Sequence, residues 1–327
     1  MTSPFIGRRI EVGIAKESSR GVGVAPTYWI RKAALDFIEK VDKIKSDMGV
    51  GHIAQHITSV KTDQWAEGTI EGEIRDKMFG LLLTAAMGAT STPSAYATTA
   101  FQHAWTLTNT NLHQSLCIGY KDPIGDLMFE LAMLNSLKVD ITAGDLARFT
   151  ADFMSKYPVD SVLTASYDAD ENLFRGRDLQ VKIAANQAAL DAATAISVKS
   201  LTFTIAKNLT RDNVCGTLGA ENIFNTVFSI TGQMVLNFTD LTYRNYLLNN
   251  NTKALRIRLT NADVPIGDGT GNPIFTLDLR KVGFEEWTRD AGLDDIVSQT
   301  ISFEAFYDPA TGGMIDALTL NNEVASY

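Results

Sequence analysis

Scarcities in this 327-residue chain exclude several roles at once. Only two cysteines occur, Cys117 and Cys215, too few for a disulfide framework, so each reads as a small packed side chain in a reducing compartment. Lysine and arginine number 29 against 38 aspartates and glutamates, a net charge of −9. A protein that grips nucleic acid through its phosphates needs a clustered basic surplus. Here the basic residues are scattered, and the nearest gathering is Arg8, Arg9, Lys16, Arg20, Arg31 and Lys32. Nowhere do about 18 apolar residues run together, so no membrane-spanning helix is expected. The opening Met1-Thr2-Ser3-Pro4-Phe5 lacks the charged-then-apolar plan of a secretory signal.

Catalytic constellations are missing too. Of four histidines, His52 and His56 stand at helical spacing, but glycines surround them and no glutamate lies between them, so they read as loop residues rather than metal ligands. Asp168-Ala169-Asp170-Glu171-Asn172 begins like a calcium loop, yet Leu173 and Leu179 occupy the places of its required glycine and glutamate. The glycines of 267–271 do not join a strand to a helix as a phosphate cradle does. No nucleophile elbow appears, and His113 with Cys117 is a coincidence of strand alternation. No catalytic, cofactor or metal site is expected.

What is present is repetition. Thr69-Ile70-Glu71-Gly72-Glu73-Ile74 leads into a helix-like stretch, as Ser229-Ile230-Thr231-Gly232-Gln233-Met234 does later. Leu35-Asp36-Phe37 parallels Leu201-Thr202-Phe203. Ser115-Leu116-Cys117-Ile118 parallels Ala254-Leu255-Arg256-Ile257, and Phe129-Glu130-Leu131 parallels Phe275-Thr276-Leu277. Thr150 and Phe153 parallel Thr300 and Phe303. Their shared order implies two copies of one β-rich unit in tandem. Hydrophobic content of 45% suffices for two cores.

Period-2 alternation recurs throughout, as in Leu137-Lys138-Val139-Asp140-Ile141 and Phe149-Thr150-Ala151-Asp152-Phe153. Such strands bury one face, which predicts mainly antiparallel β architecture in two layers. One helix per copy is expected, over 75–87 and 240–249, the second capped by Thr239 or Asp240, each buried against its own sheet. The division expected is an extended arm over 1–32 with a short strand around Ile10–Ile14, a first unit over 33–157, a linker over 158–178 and a second unit over 179–327. The aromatic pair Tyr28-Trp29 would anchor the arm. Surface loops are expected at 45–57 and 208–221, in equivalent places and suited to contact with a neighbouring layer, and at 88–103 and 263–273.

One polar pattern stands out. In strand 65–74, Glu67, Thr69, Glu71 and Glu73 share a face opposite Ala66, Ile70 and Ile74; in its twin, Ser229, Thr231 and Gln233 share the corresponding face. The plain reading is a solvated side. The sharper reading is a wall whose acids repel a polyanion.

Several segments together resemble a known family. They are Gly13-Ile14-Ala15-Lys16-Glu17-Ser18-Ser19-Arg20-Gly21 with Ala25-Pro26-Thr27-Tyr28-Trp29, then Trp65-Ala66-Glu67-Gly68-Thr69-Ile70-Glu71-Gly72, Asn111-Leu112-His113-Gln114-Ser115-Leu116, Phe284-Glu285-Glu286-Trp287-Thr288-Arg289-Asp290, and Asn321-Asn322-Glu323-Val324-Ala325-Ser326-Tyr327. The chain is similar to tail tube proteins (major tail proteins) of long-tailed, siphovirus-type bacteriophages. The resemblance implies two tandem β-sandwich domains, each with a flanking α-helix, whose inner sheets join across subunits into a ring-wide β-barrel. It implies stacked rings forming a hollow tube for DNA ejection. Partners implied are further copies of the chain and the tail terminator, tape measure and distal tail proteins, with DNA in transit, no membrane and no cofactor. The location implied is the virion tail, assembled in the host cytoplasm. Doubling of the unit suggests a homotrimeric ring with pseudo-hexameric symmetry, and about four strands per unit would close a barrel of roughly 24 strands. The alternatives are an adhesion module of tandem β-sandwiches, or a carbohydrate hydrolase using two carboxylates in a cleft.

Overall fold

The computed structural model describes residues 4–327 and is mainly β. The first half contains β1 (Glu11–Lys16), β2 (Tyr28–Ile30), β3 (Lys32–Lys45), β4 (Ser59–Glu73), α1 (Phe79–Met87), β5 (Thr92–Ala97), β6 (Ala100–Ala104), β7 (Leu116–Lys121), β8 (Asp126–Thr142), β9 (Arg148–Ser155) and β10 (Val159–Ser161). The second contains β11 (Leu179–Ala184), β12 (Ala195–Ile196), β13 (Val198–Ala206), β14 (Leu209–Asp212), β15 (Asn222–Asn225), β16 (Ser229–Asn237), α2 (Thr242–Leu248), β17 (Lys253–Thr260), β18 (Ile274–Asp290), β19 (Ser298–Ala305) and β20 (Ile315–Asn322). All strand pairings are antiparallel.

The pairing pattern of the first half recurs in the second. β1 pairs with β2 and β7, β7 with β8, β8 with β10; likewise β11 pairs with β12 and β17, β17 with β18, β18 with β20. β3 pairs with β4, β4 with β9, β9 with β8; likewise β13, β16, β19 and β18. Even the irregularities match, with a bulge between Leu134 and Ser136 and another between Phe284 and Glu286. The cross-strand row Phe37, Gly68, Phe153 has its counterpart in Phe203, Gly232, Phe303, which bears out two of the sequence parallels by register. Gly68 therefore answers to Gly232, where the sequence comparison had placed Gly72. The 115–118 and 129–131 parallels are likewise displaced, by two and four residues. An even slip keeps every side chain on its own face, so alternation cannot reveal it.

β8 serves two sheets. Residues 127–132 pair with β7 and residues 136–142 with β13, and near the end of the first segment the register slips around Leu131, whose φ of 53° is rare for a leucine. The buried Glu17 carboxylate fastens this irregularity by accepting the Leu131 amide at 2.7 Å, together with Ser115 Oγ and the Gly21 amide. The pairing of β8 with β13 joins the halves into one sheet of eight strands, in the order β3, β4, β9, β8, β13, β16, β19, β18. Among the described residues it does not close on itself: β3 pairs only with β4, and residues 284–290 of β18 only with β19. A continuous apolar core runs beneath both halves, and Phe79 of α1 meets Phe275 of β18 edge-on at 5.5 Å.

The two helices differ. Every residue of α1 is buried, as expected, but none of α2 is. The second half covers α1: Lys207 donates to the Ala85 carbonyl at its C-terminal end, where the helix dipole is negative. Tyr327 lies over Gly80, the only residue type that leaves room, since a Cβ there would stand 2.1 Å from the tyrosine ring. α2 has β18 beneath it, Tyr246 stacking on Phe284, and no equivalent cover. It starts at Thr242 with Leu241, not Thr239 or Asp240, at the N-cap position; Asp240, one residue earlier, accepts from the Thr242 amide at 2.8 Å.

Three expected loops or arms are tied down. In the expected arm, β1 matches the short strand expected around Ile10–Ile14, but it and the unexpected β2 belong to the body, because Val12, Ile14 and Ala15 complete the core between β2 and β7. Residues 92–104 form the β5–β6 hairpin, which extends the second half's sheet through β20; small polar residues had disguised the buried His103 and Trp105. Residues 208–221 enter the β14–β15 hairpin, held to β4 by the Arg211 ion pair with Asp63 at 2.6 Å and by Arg211 stacked over Trp65 at 3.8 Å. The 45–57 segment is different. It tips the β3–β4 hairpin and is exposed nearly throughout.

Tyr327 is a keystone. It is buried, touches His103, Trp105 and Tyr28, and its hydroxyl donates to the Lys77 carbonyl at 2.5 Å. Tyr327→Ala should cost about 3–5 kcal/mol of stability, a cavity plus a lost hydrogen bond. Chemical denaturation measures this, and a change under about 1 kcal/mol would contradict the packing described.

Lys207 gives a pH signature. Burial, and then the nearby Arg20 charge, push its ammonium down to about 7. The adjacent His113, pushed down to about 4 by burial and by Lys207, donates from Nε2 to the Thr108 carbonyl and stays neutral. Both folded values lie below the unfolded ones, so the unfolded chain binds more protons and stability rises with pH. For His113 that rise runs from about 4 to 6.5, and for Lys207 it starts near 7. Above pH 9 the buried Cys117 thiol, held up at about 12, acts in the opposite sense. The melting temperature should therefore climb between pH 7 and 8.5, and Lys207→Met should flatten that climb while raising stability at pH 6. Equal slopes in both proteins would refute the assignment.

Candidate functional site

The eight-stranded sheet turns its apolar side chains to the core and a polar face outward. In antiparallel pairs, directly opposed residues lie on the same face, so the registers trace rows of six or seven strands that together span all eight. One row runs Asp36, Thr69, Asp152, Ser136, Ala206, Ser229. The next runs Ala34, Glu71, Thr150, Lys138, Thr204, Thr231, Glu304. A third runs Glu73, Arg148, Asp140, Thr202, Gln233, Ser302, Glu286. Glu67 lies above them, between Ile38 and Met154. All seven stripe residues named from the sequence thus occupy one face, partly or fully exposed, while Ala66, Ile70, Ile230 and Met234 are buried behind them.

The stripe was only part of this face. Asp36, Asp140, Asp152, Glu286, Glu304, Lys138 and Arg148 belong to it as well, and acids outnumber bases. Their alternation was visible in the sequence, but not which face of which strand would be continuous with Glu71. The face is internally braced rather than primed for reaction. Lys138 pairs with Asp140 at 2.9 Å, Thr202 donates to Asp140 at 2.7 Å, Arg75 pairs with Glu73 at 2.8 Å, and Trp65 Nε1 donates to Glu67 at 2.9 Å. Burial, with the Glu67 charge beside it, raises the Asp152 carboxyl against the lowering effect of Asn135, which donates to it at 2.6 Å.

The aromatic pair lies elsewhere, within the chain's own body. Trp29 is buried against Cys117, Met128 and Leu163; Tyr28 faces Tyr327 at 6.1 Å between ring centres. Burial, then Asp168 and Glu171, push the Tyr28 phenol up to about 12. Among the described residues no three histidine, cysteine or acidic side chains gather closely enough to hold a metal ion, and no helix is long and apolar enough to cross a membrane.

A broad, braced, acid-rich sheet face with two free edges suits a wall better than a pocket. A family model described as phage tail tube protein matches residues 7–305. The chain belongs to that family. Tail tube proteins are structural components of the virion tail, where they assemble with copies of themselves and with other tail proteins. No curated protein sequence matches this tail tube protein.

Proposed function

We propose that this tail tube protein forms a homotrimeric, pseudo-hexameric ring, that rings stack into the hollow tube of a siphovirus-type tail, and that the polar sheet face lines the bore through which DNA is ejected into the host. The observation that carries the reading is the eight-stranded sheet with both edges free. Its strands alternate in direction, so β3 of one copy meeting β18 of the next remains antiparallel. Each half supplies four strands, and three copies would close roughly 24 strands with no edge left over. Closure of this kind is head-to-tail and uses one contact type throughout. On this reading the halves, 33–157 and 179–327, act as two tube domains, and 158–178 links them.

The bore-facing set is Glu67, Thr69, Glu71, Glu73, Ser229, Thr231 and Gln233, extended by Asp140, Asp152 and Glu304. Its surplus of acids repels the DNA backbone, so DNA passes without binding. The tail terminator, tape measure and distal tail proteins are the other partners, and assembly takes place in the host cytoplasm. Electron microscopy of concentrated protein tests this directly. Rings or tubes with threefold symmetry are expected; dispersed monomers at every concentration would sink the proposal.

A further inference from the structure

The joint between the two halves is a template for a second joint that one chain cannot make with itself. Within the chain, Phe174 is fully buried; its amide donates to the Ile74 carbonyl at 3.1 Å, and its carbonyl accepts from the Ala147 amide at 2.9 Å. The Gly176 amide donates to the Asp145 carbonyl at 2.8 Å, and Arg175 stands opposite Leu146 in an isolated bridge. So the segment entering the second half is stitched to the β8–β9 loop of the first.

Both sides of that joint recur. Phe174-Arg175-Gly176-Arg177 is matched by Phe5-Ile6-Gly7-Arg8; each opens a 3-10 turn, Gly176–Asp178 or Gly7–Arg9, and then the first strand of its half. On the receiving side, the Ile74 amide bond to Ala147 at 2.9 Å is matched by the Phe238 amide bond to Val297 at 3.0 Å. The loops 141–147 and 291–297 have the same length, bracketed by the opposed pairs Asp140 with Arg148 and Asp290 with Ser298. Among the described residues, however, no segment fills beside Phe238 and Val297 the place that Phe174 fills beside Ile74 and Ala147. The two unmatched pieces are exposed: Ile6 is 66% and Ile296 76% accessible. Their charges are complementary, Arg8 and Arg9 on one piece and Asp294 and Asp295 on the other.

We propose that residues 5–9 of one copy dock on Phe238 and the 291–297 loop of the next, with Ile6 opposite Ile296, repeating between chains the joint that Phe174 makes within one. This rests on the ring reading above and names the contact that closes the ring. The same correspondence sets the strand register at the seam. As Ser136 faces Ala206 inside the chain, Glu286 faces Lys40 of the next copy, an opposite-charge pair. It also gives the exposed α2 its cover, since the incoming first half then stands where the second half stands over α1.

The test is a disulfide across the joint, in a Cys215→Ser background that removes the exposed native thiol. Ile6→Cys and Ile296→Cys are both surface changes, and opposed strand residues lie within bridging distance. Rings are assembled, checked by microscopy, oxidised mildly and run on non-reducing gels. Covalent dimers and trimers are expected, each single-cysteine variant giving none. Rings that form without inter-chain disulfides would overturn the docking and leave the ring reading standing; a folded protein that never forms rings would overturn both. Phe5→Asp provides a second readout: an unchanged melting temperature with the concentration needed for assembly raised about tenfold or more. Unchanged assembly in that variant would also overturn the proposal.

Discussion

Lysine in place of Glu67, Glu71 and Glu73 together is expected to leave tubes intact and to cut DNA delivery by about a hundredfold or more. All three glutamates are partly exposed on the outward face of β4, and none contributes to the core behind it. The cost in stability should be small, because the contact of Glu73 with Arg75 is a partly exposed ion pair of roughly 0–1 kcal/mol. The effect on passage should be large. Each replacement changes the local charge by two units, and in the proposed tube the change would repeat in every subunit of every ring. A polyanion carrying about one charge per 1.7 Å would then meet binding sites along the whole bore instead of repulsion. The triple glutamine variant separates charge from shape and should lose little. Infectivity of virions carrying each variant, with tails checked by microscopy, makes the measurement. Full infectivity of the lysine variant would remove the acid face from the bore.

Replacing residues 46–58 by Asn-Gly should abolish tubes while sparing single rings. Lys45 and Ser59 are directly opposed at the end of the β3–β4 ladder, so a two-residue turn can close it without altering register. The deleted tip carries Met48, Val50, Ile53 and Ile57, all exposed, and Ile53 has no cover at all. Apolar side chains gathered on a projecting hairpin mark a contact surface. The matching hairpin of the second half is folded back on β4 through Arg211 and is not free for the same task. The melting temperature should barely change, since nothing in the tip reaches the core. Tubes of normal length from the shortened protein would refute a stacking role for this hairpin.

Much of this tail tube protein is legible in its sequence. Strand-rich architecture, the two helices and the facing of Glu67, Thr69, Glu71 and Glu73 follow from local periodicity, which depends only on where a side chain points from its own element, and the repetition from the shared order of matching segments. The register between copies was less legible, because a slip of two or four residues leaves the pattern unchanged. Nor could composition tell the free hairpin tip at 45–57 from the anchored one at 208–221, since a few long-range contacts of Arg211 and Asn213 with Asp63 and Trp65 make the difference.

Alternation and order in the linear chain were enough to read a mainly antiparallel β architecture, an ordered repetition of segments and an acidic stripe. Long-range pairing added the rest. It joined the stripes of the two halves into one face through the contact of β8 with β13, drew Val12, Ile14, Ala15, Trp29 and Ile30 inward, and left α2 packed on β18 but uncovered on its other side. Those outcomes depend on which strands become neighbours across tens to more than a hundred residues of chain, and that choice is made by the packing of the whole core rather than by any segment of it.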